Sequence, residues 1–349
     1  MGAMGPQALK SLNFSNLIQR HQGTDYATVV RGLAALAVLA VHGGATYPLF
    51  EISNRVGFGK EIVSNLSAFG SAGPAVFFIT SGFVLSLVWE RQKNFGFRKW
   101  VVRRYLRLTP LYFIVLGYCM VSGLNLSVFD LICRLFYLDA FNQALFQRDP
   151  IGVLWTISVE FWLSLFIPLF VYIFRCTKRP EFVLLTAFVC SSMGPVVLIK
   201  FGLSDLMAWK SIPSAVFCFA LGSYLSTLKK SDESAQVFRL LLVFAIGFFS
   251  MYLWVGYMGA WWVAILLTAA YLGFKRTQVT DLPPANPVFL WLGTICYGVY
   301  LIHMPVLNSL SGWASNWAFY VSLGPVFILA TASWVLVERP SGRLFRTPR

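Results

Sequence analysis

The chain has 349 residues, of which 57% are hydrophobic and only 12% are charged, and its formal net charge is +14. Soluble globular domains carry about 25% charged residues, so this composition excludes a soluble protein and predicts a polytopic protein of the lipid bilayer. We expect no nucleic-acid partner, because no zinc-ligand spacing or RNA-binding motif accompanies the positive charge. The six cysteines form no CxxC pair, and we predict no metal site.

Ten apolar runs long enough to cross a bilayer follow one another along the chain. We predict all-α structure with spanning helices over residues 26–47, 72–89, 108–126, 151–174, 182–200, 212–228, 238–256, 258–274, 288–310 and 318–337. If the N-terminus is cytoplasmic, 21 of the 28 Lys and Arg residues lie in inner segments and six lie in outer ones. Cytoplasmic loops are typically rich in these residues, so we predict ten helices with both termini in the cytoplasm.

The domain organisation that we expect is simple. A single transmembrane domain covers residues 26–338, between a cytoplasmic segment at 1–25 and a cytoplasmic tail at 339–349, and we expect no fused soluble domain. The semi-polar stretch 127–150 is predicted to form a short interfacial or re-entrant element on the outer side.

The first predicted helix contains two ionisable residues, Arg31 and His42, in an otherwise apolar run. An ionisable group in a helix centre costs about 2.5–3.5 kcal/mol on insertion scales, so each needs a partner or a function. Their spacing corresponds to about three helical turns, which places both side chains on one face and about 16 Å apart along the axis. One face therefore presents a cation near one membrane surface and a titratable base toward the other.

Positive charge is concentrated just before the third helix, with seven Lys and Arg residues between positions 91 and 107. Arg104 and Arg107 are three residues apart and Arg103 and Arg107 are four apart, so Arg107 shares a helix face with each of the other two. These residues either anchor the helix to inner lipid headgroups or form a phosphate clamp. The charge is denser than anchoring needs, and a bound polyphosphate would use it.

Two further ionisable residues interrupt apolar runs, Glu160 in the fourth helix and His303 in the ninth, three residues after Tyr300. A buried carboxylate carries a proton or forms a structural ion pair, and an intramembrane histidine is often a hydrogen-bonding residue between helices. On the predicted topology, His42, Glu160 and His303 all lie between mid-membrane and the outer surface, and we expect them to converge. We also expect Pro305 to kink the ninth helix just beyond His303.

Five motifs, in this order, resemble the acyltransferase-3 family of integral membrane enzymes that modify bacterial surface and secreted carbohydrates. The motifs are Arg-x10-His in the first helix (Arg31, His42), Phe-Phe-Ile-Thr-Ser-Gly-Phe in the second (77–83), Arg-x-x-Arg at the third (Arg104, Arg107), Trp-Thr-Ile-Ser-Val-Glu-Phe in the fourth (155–161) and Tyr-Gly-Val-Tyr-Leu-Ile-His in the ninth (297–303). The resemblance covers nearly the whole chain. It departs at Phe161, where many members have a second acidic residue.

The resemblance implies a multi-pass protein of the bacterial cytoplasmic membrane. Its members move an acyl group, most often acetyl, from cytoplasmic acyl-coenzyme A to a hydroxyl of a polysaccharide or a lipid-linked glycan. Acetyl-coenzyme A is therefore the expected acyl donor. The residues that would bind its phosphates are the inner arginines, Arg31, Arg103, Arg104 and Arg107.

In this scheme His42 takes the proton from the acceptor hydroxyl, and Glu160 orients or polarises the imidazole. Arg31 would hold phosphate or steady the developing charge. A second form of the scheme, in which His42 carries the acyl group as a covalent intermediate, is kept as an alternative. The other motif residues predicted to lie at the site are Trp155, Ser158, Tyr300 and His303.

The alternative class is a proton-coupled transporter or exporter of a glycan or a small organic acid, since intramembrane His, Glu and Arg also serve such carriers. Those folds often carry inverted repeats, and none is detectable in this sequence. The sequence names neither the acceptor sugar nor the oligomeric state, and it does not distinguish acetyl from succinyl.

Overall fold

A computed structural model of the chain describes residues 25–343 except 58, 60–61, 66–69, 93–95, 124, 148, 150, 230–259, 278–285 and 311–316. All regular secondary structure in these residues is helical, and none of them lies in a β-strand. The predicted all-α fold is therefore confirmed for the described part of the chain. The predicted seventh helix, 238–256, lies outside it, as do residues 1–24 and 344–349.

The described residues form sixteen α-helices, numbered in chain order. The first eight are α1 (Asp25–His42), α2 (Tyr47–Val56), α3 (Gly73–Arg91), α4 (Phe97–Val121), α5 (Val128–Leu135), α6 (Gln143–Gln147), α7 (Leu154–Leu165) and α8 (Ile167–Cys176). The others are α9 (Pro180–Lys200), α10 (Asp205–Trp209), α11 (Ile212–Thr227), α12 (Ala260–Thr277), α13 (Pro287–Thr294), α14 (Cys296–Leu310), α15 (Ala318–Ser333) and α16 (Arg339–Arg343). Short 3-10 helices cover Gly70–Ala72 and Leu138–Phe141, and a π-helical turn at Trp334–Glu338 joins α15 to α16.

Four helices in the described part of the chain are long and apolar enough to cross a membrane, namely those that contain α1, α3, α9 and α15. Two bent pairs, α7 with α8 at 46° and α13 with α14 at 66°, raise the number to six if each pair is one span. Membrane character is therefore supported. Ten spans and two cytoplasmic termini stay predictions.

The burial of their side chains distinguishes α3, which is central, from α9, which is peripheral. α3 is buried over nearly its whole length from Gly73 to Leu87. In contrast, α9 buries only Ala187, Ser191 and Pro195 among its 21 residues. An apolar helix that exposes most of its surface is suited to contact with lipid.

Two helices have different limits from those predicted. The first ends at His42 rather than at 47, because Gly44, with a φ of +68°, turns the chain into the separate helix α2. The third begins at Phe97 rather than at 108, so five of the seven cations of the basic segment lie in the first half of α4 and not in a loop before it.

The ninth predicted helix is divided at Ile295 by a bend of 66°, which the sequence does not predict, and the kink beyond His303 stays a prediction. The hydroxyl of Thr294 donates to the carbonyl oxygen of Leu290 at 2.7 Å, a type of contact that bends helices. α14 then continues through Pro305, which is buried inside the helix.

The stretch predicted as an interfacial or re-entrant element folds into α5, a 3-10 helix and α6. Ser127 and Asp130 form a capping box at the start of α5. The buried Arg134 ties the stretch together, because its Nη2 donates to the carbonyl oxygen of Leu145 at 2.8 Å and its Nη1 lies 3.9 Å from Asp139 Oδ2.

The backbones of α3 and α11 approach each other closely at Gly82 and Gly222. A Cβ on Gly82 would lie 3.0 Å from the Cα of Phe219, and one on Gly222 would lie 2.7 Å from the backbone nitrogen of Phe83. Small residues allow such close helix crossings. Packing against α11 therefore explains the glycine in the second-helix motif.

We predict that Gly222→Ala lowers the melting temperature of the purified protein, because the added methyl group must displace the backbone of α3. Overpacking of this kind costs about 1–3 kcal/mol. The measurement is thermal unfolding in detergent, followed by tryptophan fluorescence.

Gly117→Ala in α4 is the matched control, because no described atom of another element lies within 4 Å of its Cβ position. Alanine is favoured over glycine in a helix by about 1 kcal/mol, so this variant should be as stable as the parent or more so. Equal melting temperatures for the two variants would contradict the close crossing.

Candidate active site

α1 is one continuous helix that carries both ionisable residues of the first motif, as its spacing predicts. Near its start it lies directly against α13, since a Cβ on Gly32 would lie 2.6 Å from the backbone nitrogen of Gly293. Just beyond its end, the amide of Phe319 donates to the carbonyl oxygen of Gly43 at 2.9 Å. These contacts fix the depth of α1 relative to the helices that complete the site.

Glu160 forms a buried ion pair with Arg104. The distance from Arg104 Nη2 to Glu160 Oε1 is 3.0 Å, and Ser81 Oγ donates to the same oxygen at 2.9 Å. The side chains of Arg104 and Glu160 are only 5% and 7% exposed. Because the desolvation of a buried ion costs several kcal/mol, each charge needs the other. The contact joins α4, α7 and α3.

Two more arginines and a second carboxylate surround this pair. Arg31 and Arg107 interact electrostatically with Glu160. Glu338, on the π-helical turn after α15, interacts electrostatically with the same two arginines. We call Arg31, Arg104, Arg107, Glu160 and Glu338 the arginine cluster. Its three guanidinium groups outnumber its two carboxylates, so the cluster has an excess of positive charge.

The arginine cluster is suited to bind an anion. Arg107 is exposed. Among the described residues, Arg31 Nε and Arg104 Nε are buried and have no hydrogen-bond partner. A buried donor without a partner costs about 1–3 kcal/mol, and an anionic ligand would remove that cost. Arg104 itself is already paired, so Arg31 and Arg107 are the cations best placed to contact such a ligand.

His42 and His303 form a stacked pair near the other end of α1. Nδ1 of His42 lies 2.9 Å from Nε2 of His303, and the ring centroids are 5.1 Å apart with 13° between the ring planes. Nδ1 of His303 lies 2.8 Å from the carbonyl oxygen of Tyr300. His303 is fully buried, whereas His42 is exposed.

These contacts assign the tautomers of both rings. A carbonyl oxygen only accepts, so Nδ1 of His303 carries its proton. In a neutral ring Nε2 of His303 then accepts from the Nδ1–H of His42. The remaining nitrogen of a neutral His42, Nε2, has a lone pair and can take up a proton. His303 therefore fixes the orientation and the tautomer of His42.

The predicted pairing of Glu160 with His42 is not found. The carboxylate of Glu160 accepts from Arg104 and Ser81, and the imidazole of His42 bonds to His303. The reason is electrostatic, because guanidinium groups supply the positive charge that a buried carboxylate needs. Of the three residues expected to converge, only the two histidines meet.

The motifs of α3, α7 and α14 meet between the arginine cluster and the histidine pair. The hydroxyls of Tyr300 and Thr156 are 2.7 Å apart, and the ring of Tyr300 packs edge-on against Phe77 with centroids 5.3 Å apart. Thr156 lies one helical turn from Glu160, and Phe77 lies one turn from Ser81. Tyr300 also lies beside His303, with ring centroids 5.9 Å apart. We call Ser81, Thr156 and Tyr300, the hydroxyl-bearing members of this set, the column.

Three other predicted residues have separate surroundings. Ser158 donates to Asp139 Oδ1 at 2.6 Å, and burial raises the pKa of Asp139 to about 6, although Ser158 and Arg134 act in the opposite direction. Arg103 is half-buried, and on a helix it points about 100° away from Arg104. Trp155 is buried, and the ammonium of Lys210 lies over its ring.

Glu338 and Lys210 were not predicted as site residues. Glu338 follows the last apolar run, and a carboxylate at the end of such a run does not by itself indicate a buried residue. Lys210 follows the short helix α10, where no periodicity indicates its neighbours. Among the described residues, no group of three or more His, Cys, Asp or Glu side chains is arranged to hold a metal ion.

The fold and the site together define a helical membrane protein with a cation cluster and an oriented histidine near opposite ends of one helix. The chain belongs to the acyltransferase-3 family, whose family model, described as an acyltransferase domain, matches residues 25–338. The predicted family and the predicted acyltransferase class are confirmed.

Several curated proteins are similar to this chain. Nodulation protein 10 of Rhizobium leguminosarum bv. viciae is 26% identical over 79% of this chain and 83% of its own length. Peptidoglycan O-acetyltransferase OatA of Listeria monocytogenes is 22% identical, over 90% of this chain and 56% of its own length. O-acetyltransferase OatA of Staphylococcus aureus is 23% identical, over 80% of this chain and 52% of its own length. The chain thus spans about half the length of the two OatA proteins. No solved structure matches it.

We predict that Arg104→Met and Glu160→Gln each lower thermal stability strongly, because the first leaves buried Glu160 without its hydrogen-bonded cation and the second leaves buried Arg104 without its carboxylate. Breaking a buried pair costs about 3–5 kcal/mol, and the double variant should lose less than the sum of the two single losses. Thermal unfolding of all four proteins measures this coupling.

Arg175 and Glu90 provide the control pair. Arg175 Nη2 lies 3.1 Å from Glu90 Oε1, and the two side chains are 61% and 17% exposed, so solvent screens this pair. An exposed pair should show a coupling energy of about 1 kcal/mol or less. Additive losses at Arg104 and Glu160 would contradict the buried pair.

Proposed function

We propose that this protein is a membrane O-acetyltransferase that moves an acetyl group from acetyl-coenzyme A to a hydroxyl of a polysaccharide or a lipid-linked glycan. The observation that carries the proposal is the orientation of His42 by His303, in a chain of an acyltransferase family. Membership of that family favours an enzyme over a proton-coupled transporter.

The arginine cluster is the proposed site for the phosphates of the acyl donor. It has excess positive charge, an exposed guanidinium at Arg107 and buried donors without partners at Arg31 and Arg104. Guanidinium groups bind phosphate with two parallel hydrogen bonds. The column of Ser81, Thr156 and Tyr300 then leads from this cluster toward the histidine pair, and we propose that the thioester arm follows it.

His42 is the proposed general base. Its Nε2 takes the proton of the acceptor hydroxyl while the acceptor oxygen attacks the thioester carbonyl carbon. The carbon–sulfur bond then breaks, the electron pair leaves with the sulfur, and the imidazolium returns its proton to the thiolate. His303 supports both steps, because its Nε2 accepts the hydrogen bond that holds His42 in the required tautomer.

The proposed acceptor is a glycan of the bacterial cell envelope. Both OatA relatives are named as O-acetyltransferases, and the name of the Listeria monocytogenes protein specifies peptidoglycan. We propose that the protein lies in the cytoplasmic membrane, that the arginine cluster faces the cytoplasm and that the histidine pair faces the outer side. This arrangement would bring a cytoplasmic donor and an external acceptor to opposite ends of α1.

We predict that His42→Ala lowers acceptor-dependent release of free thiol from acetyl-coenzyme A by at least about 100-fold, the usual contribution of a general base. The protein is purified in nanodiscs and assayed with peptidoglycan fragments and other envelope glycans, and mass spectrometry detects the added acetyl group. The amount of protein in the membrane should stay near that of the parent, because His42 is exposed.

His21→Ala is the matched control, since the sequence assigns that histidine no role, and its activity should equal that of the parent. Retention of activity within a few-fold in His42→Ala would exclude His42 as the base. Failure of the parent protein to release thiol with any acceptor would contradict the proposed reaction.

A further inference from the structure

Lys210 is a half-buried cation that the proposed chemistry does not use. It follows α10, and its Nζ lies 5.4 Å from the ring centroid of Trp155. That ring is buried and packs edge-on against Phe78, so it provides a fixed surface. A cation–π contact of this kind holds the ammonium in one place.

The charge of Lys210 is not neutralised by an ion pair within the described part of the chain. Asp149 is the carboxylate that interacts with it electrostatically. However, the oxygens of Asp149 accept hydrogen bonds from the backbone amides of Ile151, Gly152 and Leu154, at 2.8–3.2 Å. They cap the start of α7 and leave the ammonium available to another anion.

Lys210 also lies on the histidine side of the site. It interacts electrostatically with His42, which is exposed, and no hydrogen bond joins the two side chains. Trp155, which holds the ammonium, precedes Thr156, and the hydroxyl of Thr156 lies 2.7 Å from that of Tyr300, whose carbonyl oxygen lies 2.8 Å from Nδ1 of His303. Lys210 is therefore placed on the side of the site where a hydroxyl would meet His42. The arginine cluster provides cations for the donor, and Lys210 provides one for the acceptor.

We propose that Lys210 is an acceptor-binding residue that selects glycans with an anionic group, a carboxylate or a phosphate, near the hydroxyl that is acetylated. The inference rests on the proposed function, since it assumes that His42 acts on the acceptor. An ammonium that is desolvated on one side and held over an aromatic ring binds an anion more tightly than one in free solution.

The test uses purified full-length protein in nanodiscs with two pairs of acceptors. One pair is an N-acetylmuramic acid oligosaccharide and its carboxamide, and the other is a sugar 1-phosphate and the matching methyl glycoside. Lys210→Ala should raise the KM for an anionic acceptor about tenfold, the loss expected for one charge-assisted hydrogen bond. The kcat and the KM for the neutral partner should change less than about twofold.

Two further variants separate charge from folding. Lys210→Arg keeps the positive charge and should keep the preference for the anionic acceptor. Lys200→Ala, at the exposed end of α9, removes another lysine and should behave as the parent does. Melting temperatures of all variants, and an unchanged KM for acetyl-coenzyme A, show that the protein is folded.

The outcomes distinguish the inference from the proposed function. If the parent acetylates acceptors of both kinds equally, or if Lys210→Ala changes both alike, the role of Lys210 is wrong and the acetyltransferase stands. If the parent acetylates no acceptor, the proposed function fails and the role of Lys210 fails with it. If the parent prefers the anionic member in only one of the two acceptor pairs, that pair shows whether the recognised anion is a carboxylate or a phosphate.

Discussion

A carboxylate inside an apolar helix bundle needs a cation, and Glu160 has one in Arg104 at 3.0 Å. Because the two residues come from α7 and α4, and Ser81 comes from α3, the same oxygen fixes three helices at one point. Leaving either charge without its partner costs about 3–5 kcal/mol, so the register of these helices is strongly determined. Arg31 and Arg107 lie beside this fixed point, and the anion-binding character of the cluster depends on it.

The same helices determine the geometry at the histidine end. α14 contributes both Tyr300 and His303, and Tyr300 contacts α7 through Thr156. α1 lies against α13 and α14, so its His42 meets His303 at hydrogen-bond distance. His42 is therefore oriented by a buried histidine and not by a carboxylate. Among the described residues, the histidine pair therefore needs no carboxylate to hold His42 in place.

The parts of the site that depend on helical periodicity could be predicted from the sequence, and the parts that depend on tertiary neighbours could not. The spacing of Arg31 and His42 predicts one shared face, because the helix repeat is fixed. Glu160 pairs with Arg104 and not with His42 because of the depth at which each side chain lies in the membrane. Hydropathy does not determine that depth to within one helical turn. Hydropathy predicts too late a start for α4, because the five cations in its first half lower hydropathy without breaking the helix. Glu338 is not predicted, because it joins the arginine cluster from the turn after α15, and no sequence pattern places that turn beside α1 and α4.

The most direct measurement of this arrangement is a cryo-electron microscopy structure of the full-length protein in nanodiscs with a non-hydrolysable thioether analogue of acetyl-coenzyme A. We expect its phosphates at Arg31 and Arg107, its arm along Ser81, Thr156 and Tyr300, and its acyl end beside Nε2 of His42. Phosphates bound away from the arginine cluster, or an acyl end that does not reach the histidine pair, would contradict a donor site that extends along α1.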